Sequence, residues 1–210
     1  MKRNLLLTSV CILLPVCAGI ALWGRLPERV PTHFDFSGTP DGWSGKAFAV
    51  FGMPLFLLAV HWLCAFAVFH DPKSGNVSDK IRVLVLWICP AVSLFVAALV
   101  YPNALGYSIN VTLSGMLLTG VLFVVVGNYL PKCRQNYTVG IKLPWTLADE
   151  DNWNRTHRMA GALWVAGGLL MILDAFVQFG QMYVFIGVTT LLAVVPIVYS
   201  AALYVTNKKR

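Results

Sequence analysis

Six long apolar runs constrain this chain more than anything else in it. Residues 5–23, 47–69, 83–101, 109–127, 159–177 and 183–205 are each 19 to 23 residues of predominantly apolar side chains. About 20 such residues cross a hydrocarbon core of about 30 Å as one α-helix. Membrane strands would alternate polar and apolar residues at period two, whereas these runs are apolar all round. Hydrophobic residues make up 58% of the 210 and charged residues 12%, about half the roughly 25% charge of a soluble domain. Too little polar surface is available to face water. The predicted fold class is all-α, a polytopic membrane protein with six transmembrane helices.

The first run follows Met1-Lys2-Arg3-Asn4 and is longer than a usual signal-peptide core. Val16 beside Cys17 is too large for a lipoprotein cleavage site, so the run is expected to remain as an uncleaved helix. Orientation follows from the bias of Lys and Arg toward the cytoplasm. With the N-terminus inside, thirteen of the sixteen cations lie on the inner side: Lys2, Arg3, Lys73, Lys80, Arg82, Lys132, Arg134, Lys142, Arg155, Arg158, Lys208, Lys209 and Arg210. Arg25, Arg29 and Lys46 lie outside. An even number of spans then puts both termini of this multi-pass membrane protein in the cytoplasm. The net charge of +7 is explained by this topology and by anionic lipid. No basic helix interleaved with exposed aromatics is present, so direct nucleic-acid binding is not expected. Cys11, Cys17, Cys64 and Cys89 lie within apolar runs and Cys133 on the reducing side, with no C-x-x-C spacing; neither disulfide, metal nor other cofactor is indicated.

Two halves are expected, residues 1–101 with an outer loop at 24–46, and 102–210 with an inner loop at 128–158. The connections at 102–108 and 178–182 are minimal, and 70–82 reads as an ordinary polar turn region. The two named loops are too long and too aromatic for mere connectors. In the outer loop, Thr32-His33-Phe34-Asp35-Phe36 alternates, so His33 and Asp35 share a face if this piece is extended. Turn chemistry follows at 38–42, which includes Asp41. Trp43 suits an interface, and Lys46 can snorkel. Either His33 and Asp35 bind a metal ion or proton, or the loop is a small folded cap whose polar groups satisfy turn amides.

In the inner loop, Pro131 ends the fourth helix and Pro144 makes Leu143 extended. Thr146 followed by Asp149 resembles a capping box, with Asp149, Glu150 and Asp151 in a first turn favoured by the helix dipole. On the helix that runs on into the fifth span, Trp153, His157 and Gly161 fall at i, i+4 and i+8, with Trp164 close to that face. Asp151 and Arg155 form an i, i+4 pair, and Gly161, Gly167 and Gly168 allow close approach of a neighbouring helix. The face at Trp153, Thr156 and His157 reads either as a binding site or as an aromatic belt around a hydrogen-bonded histidine. Within the spans, Asp174 lies near an outer end, and His61 is deep in the second span, where an ionisable residue is a functional candidate by default.

The inner loop resembles the signature of the SdpI family of bacterial integral membrane proteins. The resemblance is carried by Gly127-Asn128, Pro131, Asn136, Gly140-Ile141-Lys142, Pro144-Trp145-Thr146-Leu147, Trp153, Thr156-His157 and Gly161. The outer loop resembles a domain of unknown function that commonly precedes it, through Pro31, His33-Phe34, Gly38, Pro40-Asp41-Gly42-Trp43 and Lys46. Lys142 departs from the family's arginine, keeping the charge and losing the bidentate fork.

What the resemblance implies is a non-enzymatic immunity protein that gives resistance to a membrane-active peptide toxin, with a second role as a toxin-sensing receptor that holds a transcriptional repressor at the membrane. Its partners would be the bilayer, an extracellular peptide toxin and a cytoplasmic repressor. The outer ligand-facing residues would be His33, Asp35, Asp41, Trp43 and Lys46. The inner set would be Asn128, Asn136, Lys142, Trp145, Thr146, Trp153, Thr156 and His157. Two alternatives remain beside it: a small-molecule, ion or proton transporter using His61, although no internal repeat is visible, and an intramembrane enzyme using His157 as acid or base, although no nucleophile or oxyanion site stands beside it.

Overall fold

The computed structural model describes residues 1–208; Lys209 and Arg210, two of the cations counted on the inner side, lie outside the described residues. Seven helices and one hairpin follow in order: α1 (Lys2–Ala21), β1 (Arg29–Phe34), β2 (Pro40–Gly45), α2 (Met53–Phe69), α3 (Asp79–Ala104), α4 (Val111–Tyr129), α5 (Pro144–Ala148), α6 (Glu150–Val177) and α7 (Gln181–Lys208). Six of these helical segments are long and apolar enough to cross a membrane, as the apolar runs require. The fifth starts at Glu150 and runs unbroken into the apolar stretch from 159, as expected of a helix whose first turn holds residues 149–151. Its polar first turns are anchored by side-chain contacts, so the helix projects beyond the apolar stretch. A turn of π-helix, Phe48–Gly52, leads into α2.

Large side chains on the helix surfaces are exposed, among them Phe56 at 67% and Leu63 at 68%. In water such surface would drive association, whereas in lipid it is ordinary. The chain divides into two compact units, one of Met1–Phe69 with Arg82–Val111, the other of His70–Ile81 with the chain from Thr112 onward.

In the first unit, Pro15 interrupts the hydrogen bonding of α1. Ser93 and Tyr101 of α3 donate to α1 carbonyls at Ile12 (2.9 Å) and Pro15 (3.0 Å) on either side of that break. Pro15 itself leaves the Cys11 carbonyl without its i+4 amide, so these two bonds tie α3 to α1 around the proline and do not replace the lost one. Leu26, Val30, Val50, Val100 and Tyr101 form a buried cluster that roots the hairpin on the helices.

In the second unit, α4 and α6 run antiparallel through a stripe of glycines. A Cβ on Gly120 would meet the Gly168 carbonyl at 2.8 Å, and one on Gly127 would meet the Gly161 carbonyl at 2.9 Å. Each glycine pair is seven residues, two helical turns, from the next on its own helix, so small residues line one seam. Gly167 instead faces Val188 and Leu192 of α7.

Candidate functional site

The segment after α4 is held by buried side chains rather than by long helices. Tyr129 ends α4, a turn at Leu130–Lys132 follows, and Cys133 is extended. Asn136, 2% exposed, then organises the loop. Its Nδ2 donates to the carbonyls of Arg134 and Val139, at 2.8 and 3.0 Å. Its Oδ1 accepts from the Thr138 and Val139 amides and from the Thr138 hydroxyl. An amide with two donors and one acceptor is suited to this task.

Two further residues close the loop against the connection preceding α3. Asp71 accepts from the Tyr137 amide (2.9 Å) and the Thr138 hydroxyl (2.7 Å), and with its other oxygen from the Lys73 amide. Gln135 accepts from the Lys73 ammonium and donates to the carbonyls of Thr146 and Leu147. The 70–82 connection, which reads as an ordinary turn, is therefore part of this cap. Asp71 and Gln135 were not recognisable in the sequence, because their partners lie up to 67 residues away.

The start of α6 also differs from the capping-box expectation. Thr146 is the third residue of the short α5, and its hydroxyl accepts from the Leu143 amide at 2.9 Å. The N-cap of α6 is Asp149, which accepts from the amides of Asp151 and Asn152. Leu143 starts α5 and Asp149 separates α5 from α6, both in extended conformation, so two helices replace one. The Asp151–Arg155 pair forms, at 3.5 Å.

Beneath the loop, Trp153 and His157 stack with ring centroids 4.0 Å apart and are 0% and 1% exposed. The Ile141 amide donates to His157 Nε2 at 2.9 Å, so that nitrogen is unprotonated. The proton therefore sits on Nδ1, which donates to the Trp153 carbonyl at 2.8 Å. Trp153 Nε1 donates in turn to the Cys133 carbonyl. With both ring nitrogens committed in a neutral imidazole, His157 has no lone pair left for a metal or a substrate proton. Gly140 makes the contact feasible: its φ is +124°, and a Cβ there would lie 2.4 Å from His157 Nε2.

Thr156 donates to Asn152, and Asn152 to the Ser200 carbonyl on α7. Trp145 Nε1 donates to the Ser200 hydroxyl, and the Trp145 ring stacks on Tyr204. Asn152 and Ser200 were also not singled out in the sequence, being short polar side chains whose pairing only the fold reveals. Of the inner set, Asn136, Thr146, Trp153, Thr156 and His157 are thus buried together and Trp145 is half-buried. Asn128 and Lys142 are exposed and stand apart from that core. Asn128 accepts from Lys132 (3.3 Å), and Lys142 donates to the Thr138 carbonyl (3.0 Å). Burial pushes the Cys133 thiol up to about 11.

The 24–46 loop is an antiparallel hairpin with register irregularities after Pro31 and His33. His33 pairs through Nδ1 with Asp41 across the strands, and not with Asp35. The strand ends at Phe34, so Asp35 lies in the turn, where it accepts from the Ser37 hydroxyl and the amides of Ser37 and Thr39. The Ser37 hydroxyl first, then the backbone amides, hold the Asp35 carboxyl below its ordinary value. Lys46 pairs with Glu28 at 2.8 Å and lies over the Trp23 ring, while Trp43 is 54% exposed. In the spans, His61 is fully buried; its Nε2 lies 3.0 Å from the Thr8 hydroxyl, and its Nδ1 has no hydrogen-bond partner among the described residues. Asp174 is also buried and accepts from the Phe179 amide just past the end of α6.

The model of the SdpI/YfhL protein family matches residues 132–200, and that of a domain of unknown function (DUF1648) matches residues 10–58. Both resemblances read in the loops are thus found, in the same order. The chain is similar to Immunity protein SdpI of Bacillus subtilis (strain 168), 24% identical over 200 residues that cover 93% of this chain and 92% of that protein. No solved structure matches. With six helices able to span a bilayer, the chain is a multi-pass bacterial membrane protein.

Proposed function

We propose that this protein is a membrane immunity protein that protects its cell against a membrane-active peptide toxin. The observation that carries this reading is the similarity to an immunity protein across almost the whole of both chains. The N- and C-termini and the 128–158 segment lie in the cytoplasm, as the distribution of Lys and Arg favours. The hairpin then faces outward, where its exposed Trp43 and its His33–Asp41 pair are positioned to meet an amphipathic peptide at the membrane surface.

A receptor role follows if a cytoplasmic repressor docks on the cap. Asn136, Trp153 and His157 are engaged within the cap, so a partner would meet its exposed residues instead, Lys142 and Asn128 among them. Signalling requires two cap conformations whose balance a bound toxin shifts through its differential affinity. Survival is the test. A sensitive strain making the wild-type protein should outgrow its vector control under a panel of membrane-active peptide toxins. His33→Ala and Trp43→Ala variants, at equal membrane levels, should lose part of that advantage. Equal killing with and without the protein would sink the proposal.

One observation favours a second reading, a proton pathway: the buried His61, whose Nδ1 is unpartnered among the described residues. Proteoliposomes carrying the wild-type protein would then pass protons under a voltage that His61→Gln proteoliposomes resist. Equal leak in both would remove this reading.

A further inference from the structure

Beside the α4–α6 seam a groove of about 570 Å³ opens along the second unit. Its mouth is polar, formed by Asn128, Lys132 and Arg158, while its floor is apolar, formed by Gly161, Ala162, Val165, Ala166 and, at the far end, Leu169. The glycine contacts bring α6 close to α4, and the short Ala162 and Ala166 side chains leave room along the exposed side of that contact. No carboxylate lines the groove. Arg158 makes no hydrogen bond or ion pair among the described residues, and the Lys132 ammonium spends itself only on the neutral Asn128 side chain, at 3.3 Å, and on the Tyr129 ring. From Arg158 to Leu169 the helix rises roughly 16 Å at about 1.5 Å per residue. That is about half of a hydrocarbon core of about 30 Å, the depth of one leaflet.

We propose that this groove binds one anionic phospholipid from the leaflet on the side of the 128–158 segment. Its phosphate lies between Lys132 and Arg158 and one acyl chain follows the Gly161–Leu169 face. Charge complementarity selects the occupant. Two cations without a carboxylate favour net negative headgroups, and a zwitterionic lipid would bring an ammonium with nothing to pair it. A free phosphate would use the mouth and leave the apolar floor uncovered. The site shares Asn128 with the exposed surface of the 128–158 segment, and it does not rest on the immunity reading.

Native mass spectrometry of the full-length protein released from nanodiscs of equal parts phosphatidylglycerol and phosphatidylcholine tests it. A cation near an anionic surface favours it by about fivefold, so wild type should retain one phosphatidylglycerol over phosphatidylcholine by about thirtyfold. The Lys132→Gln, Arg158→Gln double variant should lose that preference, and Lys132→Arg with Arg158→Lys should keep it. Ala162→Leu with Ala166→Leu leaves both charges but fills the floor, and should lose the retained lipid. Helical circular dichroism should be unchanged throughout. Equal retention of the two lipids by wild type would overturn the proposal, as would a preference that survives the glutamine pair. Should the glutamine pair fail to insert, the leucine pair decides, and full retention there overturns the proposal. Displacement of the lipid by millimolar inorganic phosphate would also overturn it, marking an anion site at the mouth alone.

Discussion

Replacing Gly140 with alanine should open the cap. At φ +124° an L-residue is strained by about 1–3 kcal/mol. The new Cβ would lie 2.4 Å from His157 Nε2 and 3.0 Å from two atoms of the Trp153 ring, so the backbone must move. That movement breaks the Ile141–His157 hydrogen bond and strands a buried donor and acceptor, at a further cost of about 1–3 kcal/mol. The middle of the combined range, about 4 kcal/mol, raises the open population roughly a thousandfold. Cys133 reports it directly. Its side chain is 4% exposed, and its thiol is raised from 9.0 to about 11, which lowers the reactive thiolate at neutral pH by about a hundredfold. In a protein with Cys11, Cys17, Cys64 and Cys89 replaced by alanine, a polar maleimide should label Cys133 at least a hundredfold faster in Gly140→Ala. In the wild-type cap the rate should climb about tenfold per pH unit toward about pH 11, since only the thiolate reacts. Labelling within twofold of wild type, with an unchanged melting temperature, would refute the reasoning.

Three other outcomes are expected. Asn136→Ala removes both donors and the acceptor that close the 134–139 loop, costing about 3 kcal/mol and lowering the melting temperature by about 6–12 °C; Asn136→Asp, which keeps the acceptor, should cost less. Asp71→Ala should speed amide exchange at Tyr137 by tenfold or more while leaving that of α1 unchanged, because the Tyr137 amide and the Thr138 hydroxyl both donate to Asp71; protection that persists at the Tyr137 amide counts against that role. Asp35, depressed by Ser37 and Thr39, should titrate below the usual 3.9 or so. Its contribution to the hairpin is therefore present above that unfolded value and fades as pH falls through the lower folded one. Ser37→Ala should move the NMR titration midpoint of Asp35 upward, and an unmoved midpoint would exclude the hydroxyl as the main cause.

The spans were legible because a bilayer demands uninterrupted apolar length, and 83–101 or 183–205 satisfy that demand without reference to any neighbour. The glycine seam was half legible: Gly161 and Gly168 on α6 announce a close contact, but only the fold supplies Gly127 and Gly120 as their partners. The cap was least legible. Pro131 and Pro144 show where helix stops, yet whether Asn136 or His157 faces a ligand or its own backbone depends on where Asp71 and Gly140 lie. His33 illustrates the same limit on a smaller scale. Alternation puts it on one face with Asp35 only if the strand continues; the strand ends at Phe34, and the irregular register that sets His33 against Gly42 and Phe34 against Pro40 leaves Asp41 between them, within reach of His33. At His157 both ring nitrogens are engaged by the chain's own backbone, which makes it a part of the scaffold.

The most direct test of the immunity reading is membrane potential, followed with a voltage-sensitive dye in a toxin-sensitive bacterium challenged with membrane-active peptides. Cells carrying the protein should hold their potential at peptide doses that depolarise the vector control. Depolarisation at the same dose and rate, with the protein present in the membrane at a normal level, would contradict it.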